Sequence, residues 1–83
     1  MKGLVVEAAG QIALRDDLPL PEIDEYQVLC RNVGCGICNG TDMQLIRGQM
    51  PFIQYPFVMG HEAVGQVVAV GKKVHSFREG DYI

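Results

Sequence analysis

Several features are scarce or missing in this sequence, and each absence excludes a class of protein. There is no tryptophan and no cluster of basic residues, and the formal net charge is −3. This charge balance argues against a nucleic-acid partner or an anionic membrane surface. The longest apolar runs, residues 4–6 and 67–70, are far too short for a transmembrane helix. Residues 1–20 hold no signal peptide, because polar and charged side chains interrupt any apolar core.

Cysteine is also sparse, and its number is informative. Three cysteines without a secretory leader do not form a disulfide framework, and they indicate a reducing, cytoplasmic compartment. The 83 residues suffice for one small domain. Hydrophobic residues make up 48% and charged residues 20%, a balance that predicts a globular chain.

Short alternating segments separated by turn residues predict a mostly-β fold with one short helix. The turn Ala9-Gly10 joins the first two segments as a hairpin, and an acidic connector with two prolines follows at residues 16–25. Residues 41–47 contain neither proline nor glycine and precede Gly48, which predicts about two helical turns. Residues 49–59 are expected to form an extended loop. The predicted strands are 2–8, 11–15, 26–33 and 62–70.

Residues 34–42, with the sequence GCGICNGTD, concentrate most of the reactive groups in the chain. They supply two thiols, a hydroxyl and a carboxylate, and Gly60-His61-Glu62 adds an imidazole and a second carboxylate. Zinc selects sulfur and imidazole ligands, and glycines allow a short segment to turn so that its side chains converge. The alternative is a loop whose cysteines pack as small apolar side chains. Taken together, the pattern favours a metal site.

The order of these motifs is similar to that of a known family. Cys-Gly-Ile-Cys, Thr-Asp, a helix ending in glycine, Gly-His-Glu-Ala-Val-Gly, Val-Gly and Gly-Asp follow one another from about Tyr26 onward. This order resembles the zinc-dependent medium-chain dehydrogenases, the relatives of alcohol, sorbitol and threonine dehydrogenases. The resemblance implies a GroES-like β-barrel, truncated here, as the N-terminal portion of a catalytic domain over residues 1–83. It also implies a Rossmann domain for NAD or NADP, whose Gly-x-Gly-x-x-Gly motif this sequence lacks.

The resemblance assigns roles to individual residues. Cys38 and His61 correspond to two zinc ligands, and the third ligand is expected beyond Ile83. Asp42 corresponds to the carboxylate that orients the ligating histidine. Glu62 corresponds to an acidic neighbour that exchanges into the metal shell, and Thr41 to the hydroxyl that relays the alcohol proton.

The sequence departs from the family pattern near the first ligand. Two residues separate Cys38 from Thr41, one more than usual, so Thr41 is shifted relative to the metal. Gln44 stands where many members carry a histidine that ends the proton relay. Cys35 falls at a variable position usually filled by a small residue, and we expect it to pack. Cys30 is expected to pack beside Val28.

The function implied for the intact protein is NAD(P)-linked oxidation of an alcohol or polyol, or the reverse reduction, with zinc polarising the substrate oxygen. We expect a homo-oligomer with a small-molecule substrate and with neither nucleic-acid nor membrane partners. The chain stops after Gly80-Asp81 at the start of an apparent strand, so we expect an inactive fragment that self-associates through an exposed strand edge. Two alternatives are a structural zinc module using Cys30, Cys35, Cys38 and His61, and a metal-free GroES-like interaction domain.

Overall fold

The computed structural model describes all 83 residues and divides into two compact units. Unit 1 comprises Met1–Pro19 and Gly36–Glu62, and unit 2 comprises Leu20–Cys35 and Ala63–Ile83. The expected mostly-β fold with one short helix is confirmed. The elements are β1 (Gly3–Ala8), β2 (Gln11–Arg15), β3 (Val28–Gly36), α1 (Thr41–Arg47), β4 (Phe57–Val58) and β5 (Glu62–Val70).

Unit 1 is organised around β1, the central strand of a three-stranded sheet with the order β2-β1-β4. The expected hairpin forms, with Leu4 opposite Leu14 in antiparallel register. On its other edge β1 pairs with β4, where Val5 lies opposite Val58. Val5 and Val6, on this central strand, are almost completely buried. Since successive residues of a strand point to opposite faces, one apolar side chain is buried on each face of the sheet of unit 1.

The helix α1 covers the predicted residues 41–47 and is fixed at its end by Gly48. Gly48 adopts a left-handed conformation with φ 71°, which favours glycine. Its backbone N–H donates to the Leu45 carbonyl at 3.2 Å, which satisfies one of the last carbonyls of the helix. Gly10, in the β1–β2 turn, donates its N–H to the Ile46 carbonyl at 2.6 Å. The hairpin thereby anchors the helix.

In unit 2, β3 and β5 form a two-stranded sheet with Val67 as its buried apolar centre. A β-carbon added to Gly65 would lie 2.8 Å from the β-carbon of Cys30, so glycine permits this close approach. Cys30 is half-buried, in agreement with the expected packing role. The end of the chain pairs with β5 through an antiparallel bridge between Gln66 and Tyr82.

The observed elements differ from the expected ones in three respects. The third strand extends through Gly36, so Gly34 and Gly36 lie in extended backbone rather than in a turn, because this stretch continues the strand that pairs with β5. The expected loop 49–59 contains the two-residue strand β4, which is held by β1. The strands form two sheets, and no closed barrel is present. No helix in the structure has the length and apolar character needed to cross a membrane.

Candidate metal centre

Asp42 lies in the first turn of α1 and is the polar residue most deeply buried in the chain, with 1% of its surface exposed. Its Oδ2 accepts a hydrogen bond from the Cys38 backbone N–H at 2.9 Å. Its Oδ1 lies 2.9 Å from Nδ1 of His61. A buried carboxylate is tolerated only when its oxygens are hydrogen-bonded. Asp42 therefore holds in place both Cys38, three residues before the helix, and the histidine that follows β4.

His61 reaches this position through the sheet of unit 1. β4 is paired with β1, and the next residue, Met59, donates its N–H to the Leu4 carbonyl at 3.0 Å. Gly60 then adopts φ 113°, a conformation that side chains strongly disfavour, and turns the chain toward His61. This explains why glycine directly precedes the histidine.

The hydrogen bond to Asp42 decides which nitrogen of His61 is available. With Nδ1–H donated to the carboxylate, the lone pair of Nε2 is left for another partner. Nε2 lies 3.9 Å from Oε1 of Glu62, and His61 is about half exposed. Pairing with Asp42 raises the pKa of His61. The pKa of Asp42 is lowered, first by the Cys38 N–H and then by His61.

Cys38 presents its sulfur inside a turn of backbone donors. The Thr41 N–H donates to Sγ at 3.4 Å. Backbone hydrogen bonds from Thr41 and then Gly40 lower the pKa of the Cys38 thiol. Amide donors favour the thiolate, which is the form that binds metal. Asn39 and Gly40, which lie between Cys38 and Thr41, thus belong to the turn whose N–H groups face the sulfur.

Three side chains bring donor atoms of different kinds together in unit 1. Cys38, His61 and Glu62 each offer one ligand atom, and these atoms all lie within 4.8 Å of one another. In a tetrahedral zinc site, a sulfur and a nitrogen ligand are about 3.5 Å apart, as expected from bond lengths of about 2.3 and 2.0 Å. One sulfur, one nitrogen and one oxygen are a donor set that suits Zn²⁺. The residues present therefore fit this metal.

The structure divides the predicted site residues into those that form the donor cluster and those that lie outside it. Cys38, His61 and Glu62 form the cluster, while Asp42 contacts the first two from outside it. The cluster includes neither Cys30 nor Cys35, and none of the three cysteines forms a disulfide. Cys35 is exposed, so the expectation that it packs is wrong. This composition does not favour the closed four-ligand structural site. Thr41 is exposed and contacts the sulfur through its backbone N–H.

Two features of the site region were not anticipated from the sequence. The first is the hydrogen bond between the Cys38 N–H and Asp42, since Asp42 was expected to orient only the histidine. A signal for it was present, because an acidic side chain in the first turn of a helix can reach back to a preceding backbone N–H, as in a capping box. The second is the helix start at Gly40, where no side chain caps the helix although Asn39, Thr41 and Asp42 are all common capping residues.

Comparison with known proteins shows a consistent set of relatives. The profile of the family described as alcohol dehydrogenase GroES-like domain matches residues 24–83. Alcohol dehydrogenase 13 of Catharanthus roseus is 48% identical over 59 residues, which cover 71% of this chain and 16% of the relative. Sorbitol dehydrogenase of Bacillus subtilis is 32% identical over 85 residues, covering 100% of this chain and 24% of the relative.

A solved structure shares the fold over nearly the whole chain. It is described as a zinc-binding dehydrogenase from Sinorhizobium meliloti bound to NADP, and it is 34% identical with a TM-score of 0.85. The likeness covers 98% of this chain and 23% of that protein. The chain thus spans less than a quarter of the length of these relatives.

Proposed function

This chain belongs to the family of alcohol dehydrogenase GroES-like domains, and we propose that it supplies metal ligands to a zinc-dependent alcohol or polyol dehydrogenase. The observation that carries the proposal is the cluster of Cys38, His61 and Glu62, with their donor atoms within 4.8 Å of one another. The alcohol and sorbitol dehydrogenases among the relatives support the reaction class.

We assign residues 1–83 to the N-terminal portion of the catalytic domain of a longer enzyme. The relatives are more than four times as long as the part that matches. The chain contains no Gly-x-Gly-x-x-Gly motif, so a separate Rossmann domain would bind NAD or NADP. On this assignment the 83-residue chain is inactive alone, because the nicotinamide that exchanges hydride with the substrate is bound elsewhere.

Each residue of the centre has a distinct role in this proposal. Cys38 and His61 are ligands, and Glu62 supplies a nearby carboxylate that can enter or leave the metal shell. In neutral His61, Asp42 favours the tautomer with the proton on Nδ1, which leaves the lone pair of Nε2 for the metal, and it fixes the backbone of Cys38. Zinc, when bound, supplies Lewis acidity that favours loss of the substrate's hydroxyl proton.

Thr41 is the residue to which we assign proton transfer. It is exposed and belongs to the turn that surrounds Cys38 Sγ. Its hydroxyl can accept a proton from the substrate and pass one to water, because a hydroxyl is both donor and acceptor. Gln44, one helical turn further on, is a side-chain amide without a titratable proton, so water is the expected next acceptor.

The sheet of unit 1 also indicates how the chain can associate. β2 and β4 are the outer strands of the sheet in unit 1, and each has an edge that can pair with another chain. We propose that the chain self-associates through such an edge and that the intact enzyme is a homo-oligomer in the cytoplasm. Sedimentation at increasing concentration tests this, and a monomer at every concentration would contradict it.

The function is tested on the intact enzyme by comparing Cys38→Ala with Cys35→Ser. Cys38→Ala should lose zinc, measured by elemental analysis, and lose alcohol oxidation with it. Cys35→Ser is the matched control, because Cys35 is outside the donor cluster, and it should retain both. Full turnover after complete removal of the metal would refute the zinc-dependent function.

A further inference from the structure

We propose that Gly36 is a positioning residue for the metal centre, because the space beside its α-carbon is where the Glu62 carboxylate lies. This role rests on the function proposed above and belongs to a residue outside the donor cluster. Gly36 is the last residue of β3 and Glu62 is the first of β5, and both belong to unit 1. By having no side chain, Gly36 allows the carboxylate to stay beside Cys38 and His61.

The carboxylate of Glu62 lies between Gly36 and His61. Its Oε1 is 3.9 Å from Nε2 of His61. A β-carbon added to Gly36 would lie 3.6 Å from Oε2 of the same carboxylate and 3.9 Å from the Glu62 carbonyl oxygen. One carboxylate oxygen is thus near the ligand atom of His61, and the other is near the α-carbon of Gly36. A β-carbon would fit here in ordinary contact, whereas a larger side chain would occupy the place of the carboxylate.

The backbone conformation of Gly36 does not account for glycine at this position. The glycines with positive φ are Gly10, Gly48, Gly60 and Gly80. Gly36 lies instead in a strand, where glycine weakens the pairing and contributes no side-chain contact. Gly34 is two residues earlier, on the same face of β3, and a β-carbon added there would meet nothing within 4 Å. The neighbouring carboxylate is therefore the constraint that distinguishes Gly36 from Gly34.

Valine at position 36 should exclude the carboxylate from this place. It adds two γ-carbons, each about 1.5 Å beyond the β-carbon, and they fill two of the three staggered directions. The side chain of Glu62 would then have to rotate away from Cys38 and His61. The donor cluster would keep its sulfur and its nitrogen but lose its oxygen. Because valine favours strands, the fold itself should not be weakened.

The Zn²⁺ affinity of the intact enzyme, measured by competition with a chelator, tests this role. Glu62→Gln and Gly36→Val should each weaken Zn²⁺ binding about 10-fold, the lower end of the range typical of groups that support a metal site. The double variant should bind no more weakly than either single variant, because both changes remove the same carboxylate. Gly36→Ala should lose less affinity than Gly36→Val. Gly34→Val is the matched control and should leave the affinity unchanged.

Thermal unfolding of the metal-free variants distinguishes positioning from damage to the fold. Gly36→Val should be at least as stable as the wild type, so a loss of stability parallel to the loss of affinity would overturn the proposal. Unchanged affinity in Gly36→Val or in Glu62→Gln would overturn it as well. Additive losses in the double variant would also do so, because valine would then disturb Cys38, two residues further on, rather than Glu62.

Cys38→Ala separates this role from the proposed function. If Cys38→Ala keeps its zinc, the zinc centre itself is refuted. If Cys38→Ala loses its zinc while Gly36→Val binds Zn²⁺ as the wild type does, only the role of Gly36 is refuted.

Discussion

The two ends of α1 are held in opposite ways. At its beginning, Asp42 is buried and both of its oxygens are engaged, by the Cys38 N–H and by His61. At its end, Gly48 and Tyr55 satisfy the last carbonyls. Beyond Gly48 the chain enters the loop that leads to β4, in which Phe52 is almost fully exposed. The first end is a polar network with defined partners, and the second is apolar surface without one.

This difference separates the end of α1 that positions proposed metal ligands from the end that does not. In a domain this small, a buried carboxylate is unfavourable unless its hydrogen bonds position other groups, and here it positions two proposed metal ligands. No buried side-chain nitrogen or oxygen in the structure lacks a partner. The polar end is therefore arranged before any metal binds.

Asp42→Asn should have the largest effect and should act on the polar end alone. An amide can accept one hydrogen bond through its oxygen, but its nitrogen cannot replace the second acceptor. Loss of such a supporting carboxylate typically lowers metal affinity by about 10- to 100-fold. Zinc titration of the 83-residue chain measures this. The control is Asp16→Asn, an exposed residue, and equal zinc affinity in both variants would remove Asp42 from the site.

Gly48→Ala should have the next largest effect and should act on the other end of the helix. A left-handed conformation at a residue with a β-carbon costs about 1–2 kcal/mol. The added carbon would also lie 2.9 Å from the Tyr55 hydroxyl. Urea unfolding should show this loss of stability, and zinc affinity should change little. Gly34→Ala is the control, because a β-carbon there meets nothing within 4 Å. A clear loss of zinc affinity in Gly48→Ala would show that the two ends of α1 are coupled.

Phe52→Gly should have the smallest effect, and its sign should be opposite. Glycine relieves the left-handed backbone but gains freedom in the unfolded state, so we expect a stabilisation of up to about 1 kcal/mol. Thermal unfolding measures this change. A clear destabilisation would mean that Phe52 supports the fold.

The sequence was sufficient to predict features that depend on neighbours along the chain. The helix over 41–47 followed from the absence of breakers and the glycine at its end, and the strand over 62–70 from its Val and Ala content. The family was identified from ordered motifs, and the profile match confirms it. Asp42 and His61 were singled out as a pair, although nothing short of the fold gives their 2.9 Å separation.

Features that depend on distant pairing were not predictable in the same way. The strand β4 exists because β1 lies beside it, and two residues of a Pro-rich loop carry no strand signal of their own. The extension of β3 through Gly36 depends likewise on its sheet partner, since glycine by itself disfavours strands. The positive φ of Phe52 contradicts the local preference of phenylalanine. Such a conformation is set by the surrounding structure and leaves no trace in composition.

The identity of the metal ligands is the central claim, and cobalt substitution tests it most directly. Co²⁺ bound to the 83-residue chain should show a thiolate-to-metal charge-transfer band in wild type and in Cys35→Ser. The band should disappear in Cys38→Ser, and binding should be strongly weakened in His61→Gln, which removes the imidazole at similar size. A band that persists in Cys38→Ser and disappears in Cys35→Ser would place the metal on the other cysteine and contradict the account.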